Sequence, residues 1–105
     1  MLAISSDKIA EVIILARELH RAENEFDGFV GQLTGEEKVA LVSVFWIGRG
    51  SFDASELAEA QQTAAREATT PTASYLKGSP HLADHLESGM EALGLNPTDA
   101  EEDLL

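Results

Sequence analysis

Apolar side chains recur at intervals of three and four residues along the N-terminal part of the chain. Between Ser6 and Glu23 they share one face of an α-helix, and they are Ile9, Val12, Ile13, Ala16 and Leu19. Ser5 or Ser6 precedes this pattern, and a serine hydroxyl there can accept a hydrogen bond from a free backbone amide of the first turn. The pattern therefore predicts an amphipathic first helix over residues 6–23.

A stretch with three glycines follows that helix. Residues 24–35 hold Gly28, Gly31 and Gly35 between apolar side chains. Glycine weakens helices and is common where a chain turns, so this spacing predicts a loop that packs apolar side chains against the core. A short helical turn within the loop is the alternative.

The longest apolar run, Val39–Ile47, is interrupted only by Ser43. Thr34 and Glu37 lie ahead of it at the spacing of a capping box, in which each side chain accepts a hydrogen bond from the other residue's backbone amide. A helix that is apolar around its whole circumference is typical of the centre of a bundle. The run is also rich in β-branched and aromatic residues, which leaves a buried strand as the alternative. The capping box ahead and Gly48 behind favour a central helix.

Alanine dominates the next predicted helix. Asp53 and Glu56 repeat the capping-box spacing, which predicts a third helix over residues 54–68. Such small side chains permit close approach, either to the central helix or to a second copy of the chain. The residues of this face are Ala54, Leu57, Ala58, Ala60, Ala64, Ala65 and Ala68.

Two proline-containing pairs mark the remaining helix starts. Thr70-Pro71 predicts a short fourth helix that ends at Gly78, and Ser79-Pro80 predicts a fifth that ends at Gly94. The predicted fold class is all-α, a compact bundle of about five helices around the central apolar helix. It forms a single helical domain over residues 1–105, with residues 98–105 expected to be a frayed acidic tail.

The charge of the chain narrows its possible partners. Its 105 residues include 7 basic and 19 acidic side chains, which give a net charge of −12 at pH 7. Because phosphate groups would be repelled, ordinary binding to nucleic acid or to an anionic membrane is excluded, and a basic protein remains a possible partner. The sequence has no cysteine, no signal sequence and no apolar run of ~20 residues. A cytoplasmic protein is expected.

Two histidines and an aspartate lie close together in the predicted fifth helix. His81 and His85 are four residues apart and Asp84 lies between them, so both imidazoles could face one cation or take part in acid-base chemistry. A catalytic zinc needs a third protein ligand, which only His20 or a carboxylate elsewhere can supply. We therefore expect partly exposed side chains at a helix start, with no metal and no cofactor. An enzyme that uses these residues is the alternative.

Three residues near the end of the central helix and in the fourth helix are candidates for binding a ligand. Arg49 lies between Gly48 and Gly50 and could hold a carboxylate or phosphate. The structural alternative is that Gly48 ends the helix in a left-handed conformation and Arg49 pairs with an acid or with helix carbonyls. Trp46 and Tyr75 each join an apolar face to one polar tip and could form the wall of a ligand site, although such residues more often anchor a core.

Two short motifs resemble those of a known family. Trp-Ile-Gly-Arg-Gly at residues 46–50 and Tyr-Leu-Lys-Gly-Ser-Pro at residues 75–80 together resemble the bacterial domain of unknown function 3775. The first predicted helix is also similar to that family. The connection over residues 24–35 is shorter than the acidic insert of its members, and Phe52 stands near a position where members often carry tryptophan. The resemblance implies an all-helical bacterial cytoplasmic protein and implies no particular activity, substrate or cofactor.

Taken together, these patterns favour a non-enzymatic protein-interaction module that self-associates. The alanine face of the third helix and the apolar side chains of residues 26–33 exceed what a core of this size easily buries, which predicts a homodimer. The acidic residues 99–103 supply a further alternative, in which the protein mimics nucleic acid and inhibits a basic partner.

Overall fold

Helices account for most of the residues that the computed structural model of the protein describes, which are residues 2–68 and 70–95. The helices are α1 (Ser6–Arg17), α2 (Leu19–Gln32), α3 (Gly35–Arg49), α4 (Leu57–Arg66), α5 (Thr72–Lys77) and α6 (Leu82–Ala92). Within this described part no residue forms a strand. The all-α fold class is therefore confirmed. None of the described helices has the length and apolar character needed to cross a membrane.

The central position of α3 is confirmed. Every residue in the segment 40–47 is buried, and α6, α4 and α5 pack around it. Thr34 Oγ1 accepts a hydrogen bond from the Glu37 amide at 3.1 Å, and the Glu37 carboxylate accepts one from the Thr34 amide at 2.9 Å. The buried Ser43 hydroxyl donates to the Val39 carbonyl at 2.9 Å, so this polar group has a hydrogen-bond partner within the apolar helix.

The loop predicted over residues 24–35 is wrong, because most of this stretch belongs to α2. Phe26, Val30 and Leu33 recur at helical spacing and are buried, whereas Gly28 and Gly31 face solvent. A glycine inside a helix costs about 1 kcal/mol. Full burial of a large apolar side chain contributes about 1.5–3 kcal/mol. The burial of this face therefore outweighs the cost of the two glycines.

The first predicted helix also ends earlier than residue 23. α1 and α2 pack against each other, so the chain must turn between them. The turn lies at Glu18, which has φ −108° and ψ 23°, and a further departure from helical geometry occurs at Ala22. This division gives six helices in the described part of the chain instead of about five.

The third predicted helix begins with a short 3₁₀ turn. This turn covers Ala54–Glu56 and leads directly into α4, which ends two residues before Ala68. The Glu56 carboxylate accepts a hydrogen bond from the Asp53 amide at 2.8 Å, as the capping-box spacing predicts.

The start predicted for the fifth helix, at Pro80, is wrong. Leu82 is the first residue of α6, because the preceding His81 has a left-handed backbone conformation with φ 59°. That conformation costs energy for a residue with a side chain and cannot be part of a right-handed helix. The other end agrees with the prediction, since α6 closes just before Gly94, which has φ 76°.

The end of α3 also lies beyond the predicted residue. Gly48 lies inside the helix, and Gly50 has the left-handed conformation, with φ 92°. Gly48 meets a different requirement, because a Cβ at this position would overlap the backbone carbonyl of His85 in α6. Gly89 of α6 faces the Val44 carbonyl in the same way. The two glycines therefore allow the backbones of α3 and α6 to approach closely.

An ion pair joins α1 to the first turn of α3. Lys8 Nζ donates to Glu37 Oε2 at 2.5 Å, and the Glu37 side chain is 12% exposed. The hydrogen bonds from Lys8 and from the Thr34 amide lower the pKa of Glu37.

We expect this pair to stabilise the fold at neutral pH and to lose that effect in acid. A carboxyl with a lowered folded-state pKa contributes stability above its unfolded-state pKa, and the contribution disappears as the pH falls through the folded-state value. The difference in free energy of unfolding between the parent protein and Glu37→Gln should therefore be larger at about pH 7 than at about pH 3, which lies below the unfolded-state pKa of a glutamate. An equal difference at both pH values would contradict this prediction.

Candidate functional site

Trp46 and Tyr75 are joined by a hydrogen bond between α3 and α5. The indole N–H of Trp46 donates to the Tyr75 hydroxyl at 2.8 Å. Trp46 is 8% exposed, and its ring stacks on Phe52 with the centroids 5.8 Å apart. The ring of Phe45 meets Tyr75 edge-on at 6.2 Å. Two of the three residues predicted to bind a ligand are thus in direct contact.

Both aromatic residues line a cleft between α3, the end of α4 and α5, which we name the α3–α5 cleft. Its volume is about 330 Å³, which is at the lower end of the range of about 300–1,000 Å³ for small-molecule sites. Most of its wall is apolar and is formed by Val39, Val42, Trp46, Ala64, Ala68 and Tyr75. The cleft therefore has the size and lining of a site for a small apolar group.

Two oppositely charged side chains, Lys38 and Glu67, also line the cleft. Lys8 and Lys77 each form ion pairs with carboxylates. In contrast, Lys38 takes part in no ion pair within residues 2–68 and 70–95. The cleft thus offers a lysine whose ammonium group is available to a ligand.

Arg49, the third predicted ligand-binding residue, does not line this cleft. Its guanidinium lies over the Phe45 ring, 5.0 Å from the centroid, and its Nε donates to Ser51 Oγ at 3.0 Å. No carboxylate of the described segments pairs with it. The structural alternative, an ion pair with one of the many acids, is therefore corrected to a cation–π contact.

The predicted histidine pair is not arranged as two residues on one helix face. His81 precedes α6, and its ring lies perpendicular to that of His85 with the centroids 6.4 Å apart. His85 also packs edge-on against Phe45 at 5.7 Å. No group of three potential metal ligands occurs in the part of the chain that the structure describes. The prediction that both imidazoles point from one helix rests on an incorrect helix start.

His81 and Asp84 line a second cavity, of about 350 Å³, together with Arg17 and Lys77. Its position between the end of α1 and the start of α6 brings two of the seven basic side chains of the protein together.

Carboxylates neutralise both cations of this second cavity. Arg17 pairs with Glu87, and Lys77 Nζ lies 2.8 Å from Asp27 Oδ1 and 3.1 Å from Glu23 Oε2. Hydrogen bonds to Asp27 and then to Glu23 raise the pKa of Lys77. Both cations of this cavity are therefore already paired with carboxylates of the protein.

Sequence reasoning missed the residues that complete the α3–α5 cleft. Lys38 comes directly before the apolar run of the central helix, and nothing in the local sequence indicates that it lines a cleft together with Glu67. Ala64 and Thr72 belong to different helices and line the cleft with Lys38 only because α4 and α5 pack on α3. The cleft is a product of tertiary packing.

The family model described as a protein of unknown function, DUF3775, matches residues 23–95. The chain belongs to this family, whose match includes most of α2 and all of α3 to α6, with the whole cleft. The first helix, for which the sequence predicted a resemblance to the family, lies outside the matched residues. Comparisons with curated proteins and with solved structures found no match.

Proposed function

We propose that the protein is a non-enzymatic interaction module that binds the apolar group of a small ligand in the α3–α5 cleft. The observation that carries this proposal is the concave, mostly apolar wall around Trp46, with Tyr75 and Lys38 as the polar groups beside it. A concave apolar site with a few well-placed polar groups is the usual form of a ligand pocket.

The distribution of exposed apolar residues supports a small ligand over an extended protein interface. A stable protein interface buries about 800 Å² on each partner and has an apolar centre. Ile14, which is 48% exposed, is the large apolar side chain that the described surface presents to solvent, and it does not line the cleft. Phe26, Val30 and Leu33 are buried in the core. The apolar side chains of residues 26–33 therefore do not form an exposed surface that would support the predicted homodimer.

Self-association through α4 stays a separate prediction. Ala60 and Ala64 of the alanine face are buried, whereas Ala58 and Ala65 are exposed and would have to carry the contact between two copies. In sedimentation velocity we expect the parent to form a dimer and Ala65→Glu to weaken it, since a dimer formed through this face requires the small side chain at position 65. A parent protein that stays monomeric would contradict this prediction.

The two other functions considered from the sequence have less support. Catalytic groups must be held together and shielded from water. Of the three residues in the enzyme alternative, His81 and Asp84 are exposed and His85 is half-buried. The proposed mimicry of nucleic acid depends on residues 99–103, which lie outside the described residues. Both alternatives remain predictions from the sequence.

Octan-1-ol, a neutral apolar probe, tests the proposed binding site. Trp46 is the single tryptophan of the chain, so its fluorescence reports on this place in the fold. We expect a saturable change in fluorescence as octan-1-ol enters the cleft, and we expect Ala68→Phe to abolish it by filling the cleft with a ring.

Ala58→Phe is the matched control, because it adds the same ring to an exposed alanine that does not line the cleft. The control should bind octan-1-ol as the parent does. Binding that survives Ala68→Phe, or no saturable binding to the folded parent protein, would overturn the proposed function.

A further inference from the structure

Within the described residues, the Tyr75 hydroxyl accepts one hydrogen bond and donates none. An indole N–H can only donate, so the hydroxyl oxygen is the acceptor of the 2.8 Å bond from Trp46. The hydroxyl proton must point in another direction, and no acceptor for it lies within residues 2–68 and 70–95. Trp46 therefore orients Tyr75 as a donor in a cleft that is otherwise mostly apolar.

Lys38 supplies the second donor at the same cleft. It is half-buried and, unlike Lys8 and Lys77, it takes part in no ion pair within the described segments. One ammonium group and one hydroxyl match a group that carries a single negative charge and accepts hydrogen bonds. A carboxylate has these properties, and hydrogen bonds between charged partners are the stronger ones.

The volume of the cleft limits the size of the apolar part. A water-sized group occupies roughly 30 Å³ in a liquid, so a cavity of about 330 Å³ holds about ten such groups. An alkyl chain of about eight carbons with a carboxylate reaches this size. The wall offers mainly hydrocarbon contacts from Val39, Val42 and Ala64.

We infer that the ligand of the α3–α5 cleft is a free medium-chain carboxylic acid in its ionised form. This inference rests on the proposed function and adds the chemical class of the ligand. The hydrocarbon chain lies along the apolar wall beside Trp46. The carboxylate accepts hydrogen bonds from the Lys38 ammonium and the Tyr75 hydroxyl.

Glu67 opposes this binding and provides a second, independent test. Glu67 lines the cleft and its negative charge repels an anionic ligand, as does the net charge of −12 at longer range. Glu67→Gln removes one nearby negative charge and keeps the shape of the side chain. It should tighten the binding of a carboxylate and leave the binding of a neutral ligand unchanged.

Octanoate and octan-1-ol are the two probes, compared by titration calorimetry on the full chain. Lys38→Met removes the charge and retains an apolar stem. We expect it to weaken octanoate binding by about tenfold and to leave octan-1-ol binding unchanged. Arg21→Met is the matched control, since it alters the net charge equally at an exposed position outside the cleft. Its affinity for octanoate should equal that of the parent.

The outcomes separate this inference from the function on which it rests. If octan-1-ol binds as tightly as octanoate, or Lys38→Met weakens both probes equally, the inference is overturned and the apolar binding site stands. If neither probe binds to the folded protein, the proposed function fails, and the inference fails with it. If Arg21→Met weakens octanoate as much as Lys38→Met does, the effect is one of net charge, and the assignment to Lys38 is overturned.

Discussion

Gly48→Ala is expected to destabilise the protein by about 3 kcal/mol or more. The added Cβ would overlap the carbonyl group of His85 and approach the amide nitrogen of Gly89. These are backbone atoms, so no side-chain rotation can relieve the overlap, and α3 and α6 would have to separate along the centre of the bundle. Urea unfolding followed by circular dichroism measures the loss.

Gly28→Ala is the control for this prediction. Gly28 lies inside α2, and a Cβ there would meet no atom within 4 Å. The alanine should raise the free energy of unfolding by about 0.5–1 kcal/mol, since it restricts the unfolded chain and favours the helix. If the two substitutions changed the free energy of unfolding equally, the backbones of α3 and α6 could not be in close contact at Gly48.

Trp46→Ala should cost about 3–5 kcal/mol. The substitution removes a buried ring that packs on Phe52, leaves a cavity beside α5, and removes the indole N–H that donates to the Tyr75 hydroxyl. The loss should appear as a lower urea concentration at the midpoint of unfolding, with little change in the slope of the free energy of unfolding against urea concentration.

Ile14→Ala is the control for the tryptophan substitution. Ile14 is 48% exposed, so its truncation should alter the free energy of unfolding by about 0.5 kcal/mol at most. A cost below about 1 kcal/mol for Trp46→Ala would mean that the ring contributes little to the packing of α3.

The burial of Trp46 and its bond to Tyr75 also connect stability with binding. One hydrogen bond joins the centre of the bundle to Tyr75 of α5, which lines the cleft. Tyr75 is therefore a packed aromatic residue that also lines the candidate site, and its role in binding stays a prediction. Stability measurements must accompany any binding experiment on these two residues.

Membership of the DUF3775 family adds a specific point about the cleft. The matched residues, 23–95, contain every residue that lines it. The second cavity, in contrast, uses Arg17 from α1, which lies outside the match. The candidate site is thus built wholly from residues that match the family model.

Local signals in the sequence determined where several helices begin. Thr34 with Glu37 and Asp53 with Glu56 satisfy amides within one turn, and Ser5 accepts from the Lys8 amide at 3.2 Å. Such interactions depend only on residues three positions apart. The apolar run of α3 likewise predicts its central position, because a helix that is apolar all round is stable only when other helices surround it.

Tertiary packing decided the features that local spacing left open. Gly28 and Gly31 suggested a loop, but α2 forms because its opposite face is buried. Gly48 allows the backbone of α6 to pack closely against α3, and α6 lies far along the sequence. The residues around Gly48 therefore could not show that the helix ends at Gly50 and not at Gly48. The bond between Trp46 and Tyr75 spans 29 residues, and Lys38 joins them only when α5 packs on α3. The helices follow from contacts between near neighbours, whereas the candidate site requires side chains that only the packing of separate helices brings together.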